Sequence, residues 1–294
     1  MQSRTSSTTT LETDSLADSL GFSETFHRQG RALSELGLYE RALTRYDKVL
    51  GQDPDNSAAW CDRGYTLEKL GRYAEAAFSF GEAIARHPRY ANAWLGRGIV
   101  YGQLGEVEQA LDCFKQTLRL APKDYRAWYN QGRIFQTLRR YSEAIESFDQ
   151  ALDHKPQKHQ AWYHRAACFM AQNRWIEALN SIDVALTVKP TCHYAWNYRG
   201  GLLQHLGRLD EAIACFEQSL GCRHENLDAH WGLARCYQYQ GDRERSLVAL
   251  MAAFETNPAR CLERWSLDSV LQPLASEPRL QVLLSQANAL SCPD

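Results

Sequence analysis

No apolar run in this chain of 294 residues approaches the roughly 18 residues needed to cross a bilayer as a helix. A basic excess is also missing: 33 Lys and Arg stand against 35 Asp and Glu, a net charge of −2. Nucleic-acid affinity comes largely from phosphate neutralisation, so this balance argues against a nucleic-acid partner. The nine cysteines include no CxxC pair, which points to free thiols in a reducing cytoplasm and not to a disulfide framework. No GxxxxGK[ST], HExxH or GxSxG pattern occurs, and "GRGIVYG", residues 96–102, has the wrong spacing for a phosphate loop. No enzyme chemistry, cofactor or metal is therefore expected. The opening "MQSRTSSTTTLETDSLADSLGF" has no apolar core of a secretion signal. Residues 1–22 are expected to be mostly disordered, with a short helix around Leu16–Leu20.

What the chain does have is a period. Trp60, Trp94, Trp128, Trp162 and Trp196 recur every 34 residues. Pro54, Pro88, Pro122, Pro156 and Pro190 keep the same interval, as do Ala42, Ala76, Ala110, Ala144, Ala178 and Ala212. Tyr46, Phe80, Phe114, Phe148 and Phe216 form a further column, with Ile182 inside it, and Gly37, Gly71, Gly105, Gly207 and Gly241 another. Within residues 125–158, Trp128, Gly132 and Phe135 lie on one stripe of a helix, and Ala144, Phe148 and Ala151 on one stripe of a second. The glycine column between them suits a left-handed helix end. Asn173 in that column tolerates the conformation, and Arg139 does so at a cost of about 1 kcal/mol. The proline column ends the second helix. Gly132 and Ala144 are read as the close crossing of two helices, with Trp128 and Phe148 filling the core, so that Trp128→Ala should cost roughly 3–5 kcal/mol.

These columns resemble the tetratricopeptide repeat (TPR), over about four fifths of the chain. Seven units are read: 23–56, 57–90, 91–124, 125–158, 159–192, 193–226 and 227–260. The resemblance implies an all-α fold, a right-handed superhelix of seven helical hairpins. First helices would line a concave face and second helices a convex one. Solenoid ends expose apolar surface, and 261–294 reads as a capping helix pair with a short tail. Its first helix would carry Leu262, Trp265, Val270 and Leu271 and stop at Pro273. Its second would be capped by Ser276 and run to about Leu290.

The seventh unit is irregular. "DAHWGLARCY", residues 228–237, places His230 in the Trp column and Trp231 one residue later, while Ala229, Ala234 and Gly241 keep register. Trp231 is therefore rotated ~100° from the core stripe, into the column that the resemblance assigns to the concave groove. That column holds His27, Cys61, Leu95, Tyr129, Tyr163, Asn197 and Trp231, and the one a turn later holds Arg31, Tyr65, Ile99, Arg133, Ala167, Gly201 and Arg235. The candidate partner-binding residues are Arg126, Tyr129, Arg133, Gln136, Tyr163, Tyr194, Trp231 and Arg235, because aromatic and Arg side chains dominate interface energetics. Cys61, Tyr65, Leu95 and Ile99 would form a smaller, more apolar stretch of the same surface. Arg63, Arg97, Arg165 and Arg199 form a repeated column and read as structure between repeats. Cys113 and Cys215 read as small buried residues. Glu143, Glu177 and Glu211 read as helix starts. The His154/His159 and His224/His230 pairs bracket inter-repeat turns and read as solvated. Some TPR proteins hold a chaperone's C-terminal carboxylate with a Lys/Asn clamp. The matching columns here hold Tyr129, Arg133, His164, Tyr194 and Tyr198, so that ligand is not expected.

The expected function is a non-catalytic scaffold or adaptor in the cytoplasm, holding a peptide or helix of another protein in the groove. Self-association through exposed solenoid ends is compatible with it. The alternative is a helical array that stacks single-stranded RNA on Tyr, Trp and Arg.

Overall fold

The structure, a computed structural model, describes residue 21 and residues 23–291, with side chains as far as Ala287. The expectation for residues 1–22, including a short helix around Leu16–Leu20, thus lies outside the described residues except at Gly21. Among the described residues there is no strand. Helix α1 covers residues 23–35. It is followed by α2 (Tyr39–Gln52), α3 (Ser57–Lys69), α4 (Tyr73–Arg86), α5 (Ala91–Leu104), α6 (Val107–Leu120) and α7 (Tyr125–Thr137). Then come α8 (Tyr141–His154), α9 (His159–Ala171), α10 (Trp175–Val188), α11 (His193–His205), α12 (Leu209–Cys222), α13 (Leu227–Gln240) and α14 (Arg243–Thr256). The chain closes with α15 (Pro258–Trp265), a 3₁₀ turn (Gln272–Leu274) and α16 (Pro278–Ser291). It forms two compact units, Met1–Leu138 and Arg139–Asp294, so the division falls in the turn of the fourth repeat.

Each hairpin turns on one left-handed residue. Gly37, Gly71, Gly105, Gly207 and Gly241 have φ of 74–79°, and Arg139 and Asn173 take the same conformation at 58° and 60°. The reversal is a Schellman closure: Leu38 N–H donates to Leu33 C=O at 2.9 Å, and Arg208 N–H to Leu203 C=O at 2.9 Å. Four of the second helices, α4, α8, α10 and α12, then open on an ion pair of the type Arg208–Glu211, at 2.6 Å. The glutamates at these helix starts, including Glu143 and Glu177, pair with Arg140 and Arg174. These pairs are largely exposed and contribute little to stability.

In several repeats the core is a large side chain pressed against glycine. A Cβ on Gly64 would stand 2.8 Å from the Phe80 ring, and one on Gly96, from the next first helix, 2.4 Å. Phe216 is held in the same way between Gly200 (2.8 Å) and Gly232 (2.3 Å). Within each unit, successive first helices touch: α3 meets α5 and α5 meets α7, as α9 meets α11 and α11 meets α13. No pair of successive second helices makes comparable contact among the described residues. The first helices therefore share one face of each unit, called here the inner face.

The Trp column is not the core filler that its period suggested. Trp60, Trp94, Trp128, Trp162 and Trp196 are half-buried, and the Ala before each is sealed. Every one of these indoles donates Nε1–H to the carbonyl of the column proline six residues earlier, at 2.9, 2.9, 2.9, 2.8 and 2.7 Å. Two sequence columns are thus one interaction. Both break together: His224 and His230 stand where Pro and Trp are due.

The C-terminal segment differs from expectation in detail. Asn257 caps α15 through Arg260 N–H at 3.0 Å, with Pro258 in the first turn, so the column proline opens this helix directly. The helix stops at Trp265. Val270 and Leu271 lie in the following turn, Pro273 sits inside the 3₁₀ turn, and α16 starts at Pro278. Leu271, Leu274, Leu280 and Ala287 close the core around Leu247, Leu250 and Phe254.

Candidate functional site

In the arginine column, Arg63, Arg165 and Arg199 tie neighbouring helices together, while Arg97 donates to Tyr101 on its own helix at 3.1 Å. Arg63 donates to Asp47 at 2.9 Å on the preceding second helix and to Ser79 at 2.7 Å on its own. Arg199 repeats this with Asp183 (2.9 Å) and the Cys215 thiol (3.1 Å). Cys113 and Cys215 are buried, as the spacing implied. Burial pushes the Cys61 and Cys168 thiols up to about 12 and the Cys236 thiol to about 11. They are held as thiols, poor nucleophiles at neutral pH.

On the first unit, α7 carries Arg126, Tyr129, Arg133 and Gln136. Arg126 is engaged at the helix start: it donates to Asp124 at 3.0 and 2.6 Å and to Asn92 at 2.8 Å. Asp124 in turn raises the Arg126 pKa. Tyr129 and Gln136 are half-buried and Arg133 is exposed. Burial raises the Tyr129 phenol, with the Arg133 charge opposing. Cys61 and Leu95, expected on the same surface, are each only 1% exposed and form core instead.

On the second unit, α9 and α11 build a ladder of rings. Tyr163 stacks on Tyr194 with centroids 6.2 Å apart and on Tyr198 at 6.0 Å, with interplanar angles of 27° and 20°. His164 tilts against Tyr163 at 4.4 Å and stacks on Phe148 at 5.8 Å. Tyr194 is the open rung, 48% exposed. Beyond the ladder lies a recess of about 640 Å³ lined by Met170, Gly201, Gln204, His205, Arg235 and Tyr239 among others. Sequence reasoning did not single out this recess. Its signal was Gly201, a second glycine beside the packed Gly200.

Trp231 departs from the expected placement. It is 5% exposed, and its Nε1–H donates to Asp268 at 2.7 Å. The turn after α15 folds over α13, so the residue that looked like a groove anchor is sealed by the cap. Only the contact with a segment 37 residues away decides this, which no local pattern reveals. Arg235 is half-buried. Its Nε lies 3.7 Å from Asp268 and it donates through Nη2 to the Tyr239 hydroxyl at 3.4 Å. Both distances are too long for a strong charge-assisted hydrogen bond. Among the described residues, no group of three or more His, Cys, Asp and Glu side chains is placed to hold a metal, and no helix is long and apolar enough to cross a membrane.

Among solved structures, a TPR protein from Parabacteroides merdae matches with a TM-score of 0.63 at 19% identity, over 81% of this chain and 94% of that one. PilF of Pseudomonas aeruginosa matches at 0.65 and 15% identity, over 77% and 99%. YrrB, described as a TPR protein with an unusual peptide-binding site, matches at 0.53 and 23% identity, over 65% and 99%. At such identities the likeness is one of fold. No curated protein sequence matches the chain. The tetratricopeptide repeat family model matches residues 27–86, 67–110, 95–157, 129–191 and 169–224. Those matches end where the Trp–Pro pairing ends, and they cover the hairpins whose turns, cores and indole bonds repeat at one pitch: the chain belongs to the tetratricopeptide repeat family.

Proposed function

We propose that this protein is a non-catalytic interaction scaffold of the cytoplasm that holds a peptide or helix of a partner protein on the inner faces of its hairpins. The seven units from 23 to 260 and the cover from 261 onward belong to the same reading. The binding residues are Arg126, Tyr129, Arg133 and Gln136 on the first unit, and Tyr163, Tyr194 and Arg235 on the second. Trp231 is withdrawn from this set. The observation that carries the reading is the tyrosine ladder. A phenol 48% exposed on a stacked pair of rings presents rigid amphipathic area with few rotors to freeze, the quality that makes Tyr an interface anchor. The peptide-binding site named for YrrB supports it by analogy of fold.

The test is selection of random 12-residue peptides on phage against the full chain, followed by anisotropy titration of the synthesised binders. Tyr163→Ala and Tyr194→Ala should each weaken binding at least tenfold, while Phe78→Ala, on a second helix, leaves it unchanged. Binding of single-stranded RNA that weakens steeply with salt, with no peptide selected, overturns the reading.

A further inference from the structure

We infer that the recess over Gly201 is the anchor pocket of this scaffold, taking a bulky apolar side chain that lies within two residues of an acidic one in the partner's chain. The inference rests on the peptide-binding reading above.

Gly201 occupies the middle of α11, where glycine weakens a helix. Its neighbour Gly200 has a reason to be glycine, since a Cβ there would meet Phe216 at 2.8 Å. Gly201 has none in the packing: no atom lies within 4 Å of the Cβ it lacks. What the missing side chain leaves is the floor of the recess. At the equivalent position the flanking first helices carry Ala167 and Arg235, so the floor is low on the side of the tyrosine ladder and walled by a cation on the other. The recess, about 640 Å³, falls within the size range of ligand pockets. Met170, at its edge, is a flexible thioether that adapts to the shape of an apolar guest. Gln204 is turned toward the next helix, with its Nε2 3.4 Å from the Cys236 Sγ. His205 is covered by Trp175, with ring centroids 4.1 Å apart.

The acidic half of the motif follows from Arg235. Its guanidinium makes only long contacts with Asp268 and Tyr239, which leaves donors for a carboxylate. The protein's own chain shows the wall accepting one. Asp268, with its side chain 9% exposed, lies on Trp231 and near Arg235, and the residue before it is Leu267, 86% exposed. Arg235 lines both the pocket beside Asp268 and the recess. A partner carboxylate on the free side of Arg235 would set the adjoining apolar side chain over Gly201.

The phage-selected 12-residue peptides test this directly. The enriched sequences should place Phe, Trp or Leu within two positions of Asp or Glu. For the tightest of them, Gly201→Leu should weaken binding at least tenfold and Arg235→Gln about threefold, with the far-UV circular dichroism unchanged and the melting temperature of Gly201→Leu equal or higher. If Tyr194→Ala abolishes binding and Gly201→Leu does not, the anchor pocket is refuted and the scaffold reading stands. Enriched peptides without the acidic–apolar pairing refute it as well. If neither variant weakens binding, or no peptide is enriched, both readings fall.

Discussion

Gly200 and Gly201 are adjacent on one helix, and replacing each in turn by Ala should move stability in opposite directions. Alanine is favoured over glycine inside a helix by about 1 kcal/mol, and both variants gain this. At Gly201 nothing offsets it, because the new methyl enters open space. At Gly200 the methyl would stand 2.8–2.9 Å from three atoms of the Phe216 ring. That ring cannot withdraw, since Gly232 on its other side leaves a would-be Cβ only 2.3 Å away. Overpacking of this kind costs about 1–3 kcal/mol. Gly201→Ala should therefore stabilise by about 0.5–1 kcal/mol, and Gly200→Ala should destabilise by up to about 2 kcal/mol. Urea unfolding followed by circular dichroism reads both. Repeat arrays can lose two-state behaviour, so hydrogen exchange of α11 and α12 amides should accompany it. A destabilised Gly201→Ala, or two variants shifted equally, would show that the packing around α11 is not as described.

Arg139→Gly should stabilise the fold by several tenths of a kcal/mol to about 1 kcal/mol, since φ of 58° strains an Arg and suits Gly; a lower melting temperature would contradict this. Asp268→Ala should release the turn over α13 and cost about 1.5–3 kcal/mol, the usual worth of a hydrogen bond to a charged group. A red-shifted tryptophan emission spectrum reads it, and unchanged emission would mean that Trp231 is not sealed by that contact. Burial holds His159, His193 and His230 below the usual imidazole range, aided by Lys189 and Lys158 at His159 and by Arg223 and Lys189 at His193. The unfolded chain then takes up protons first, near pH 6.5. Stability should be full above that pH and fall as pH drops below it. His193→Gln should flatten the slope of melting temperature against pH between 7 and 5.

Much of the fold was legible because each repeat restates the same local constraints. The left-handed turns at Arg139 and Asn173 were readable from the glycines in their column, and the buttressing by Arg63 and Arg199 from the recurrence of that column. The Trp column was legible as a column but not as a contact. Periodicity locates a side chain on a helix face only to within a residue's rotation, and the sealed position is the preceding Ala. The site was less legible. Spacing put Tyr163 and Tyr194 on the first-helix face, but their stacking with Tyr198 depends on how α9 meets α11. Cys61 and Leu95 share the column of Tyr129 and are core, because a small or aliphatic side chain there fits between helices and a phenol does not. Trp231 was misplaced because the cap that covers it follows no repeat.

The bonds from indole to proline carbonyl carry a consequence for how the chain tolerates length changes. Each spans six residues, so one residue added between Pro156 and Trp162 would push the donor out of reach and strand a carbonyl that has no other partner of that kind. All five connections preceding a Trp-bearing helix could be lengthened only by breaking such a staple, although the Pro54 carbonyl ahead of Trp60 would keep Arg86 as a second donor. The connection at residues 223–226 has no indole staple, but it is fixed instead by Asn226, which caps α13 and donates to Ser219 at 2.8 Å, so an insertion there would have to keep that residue in place.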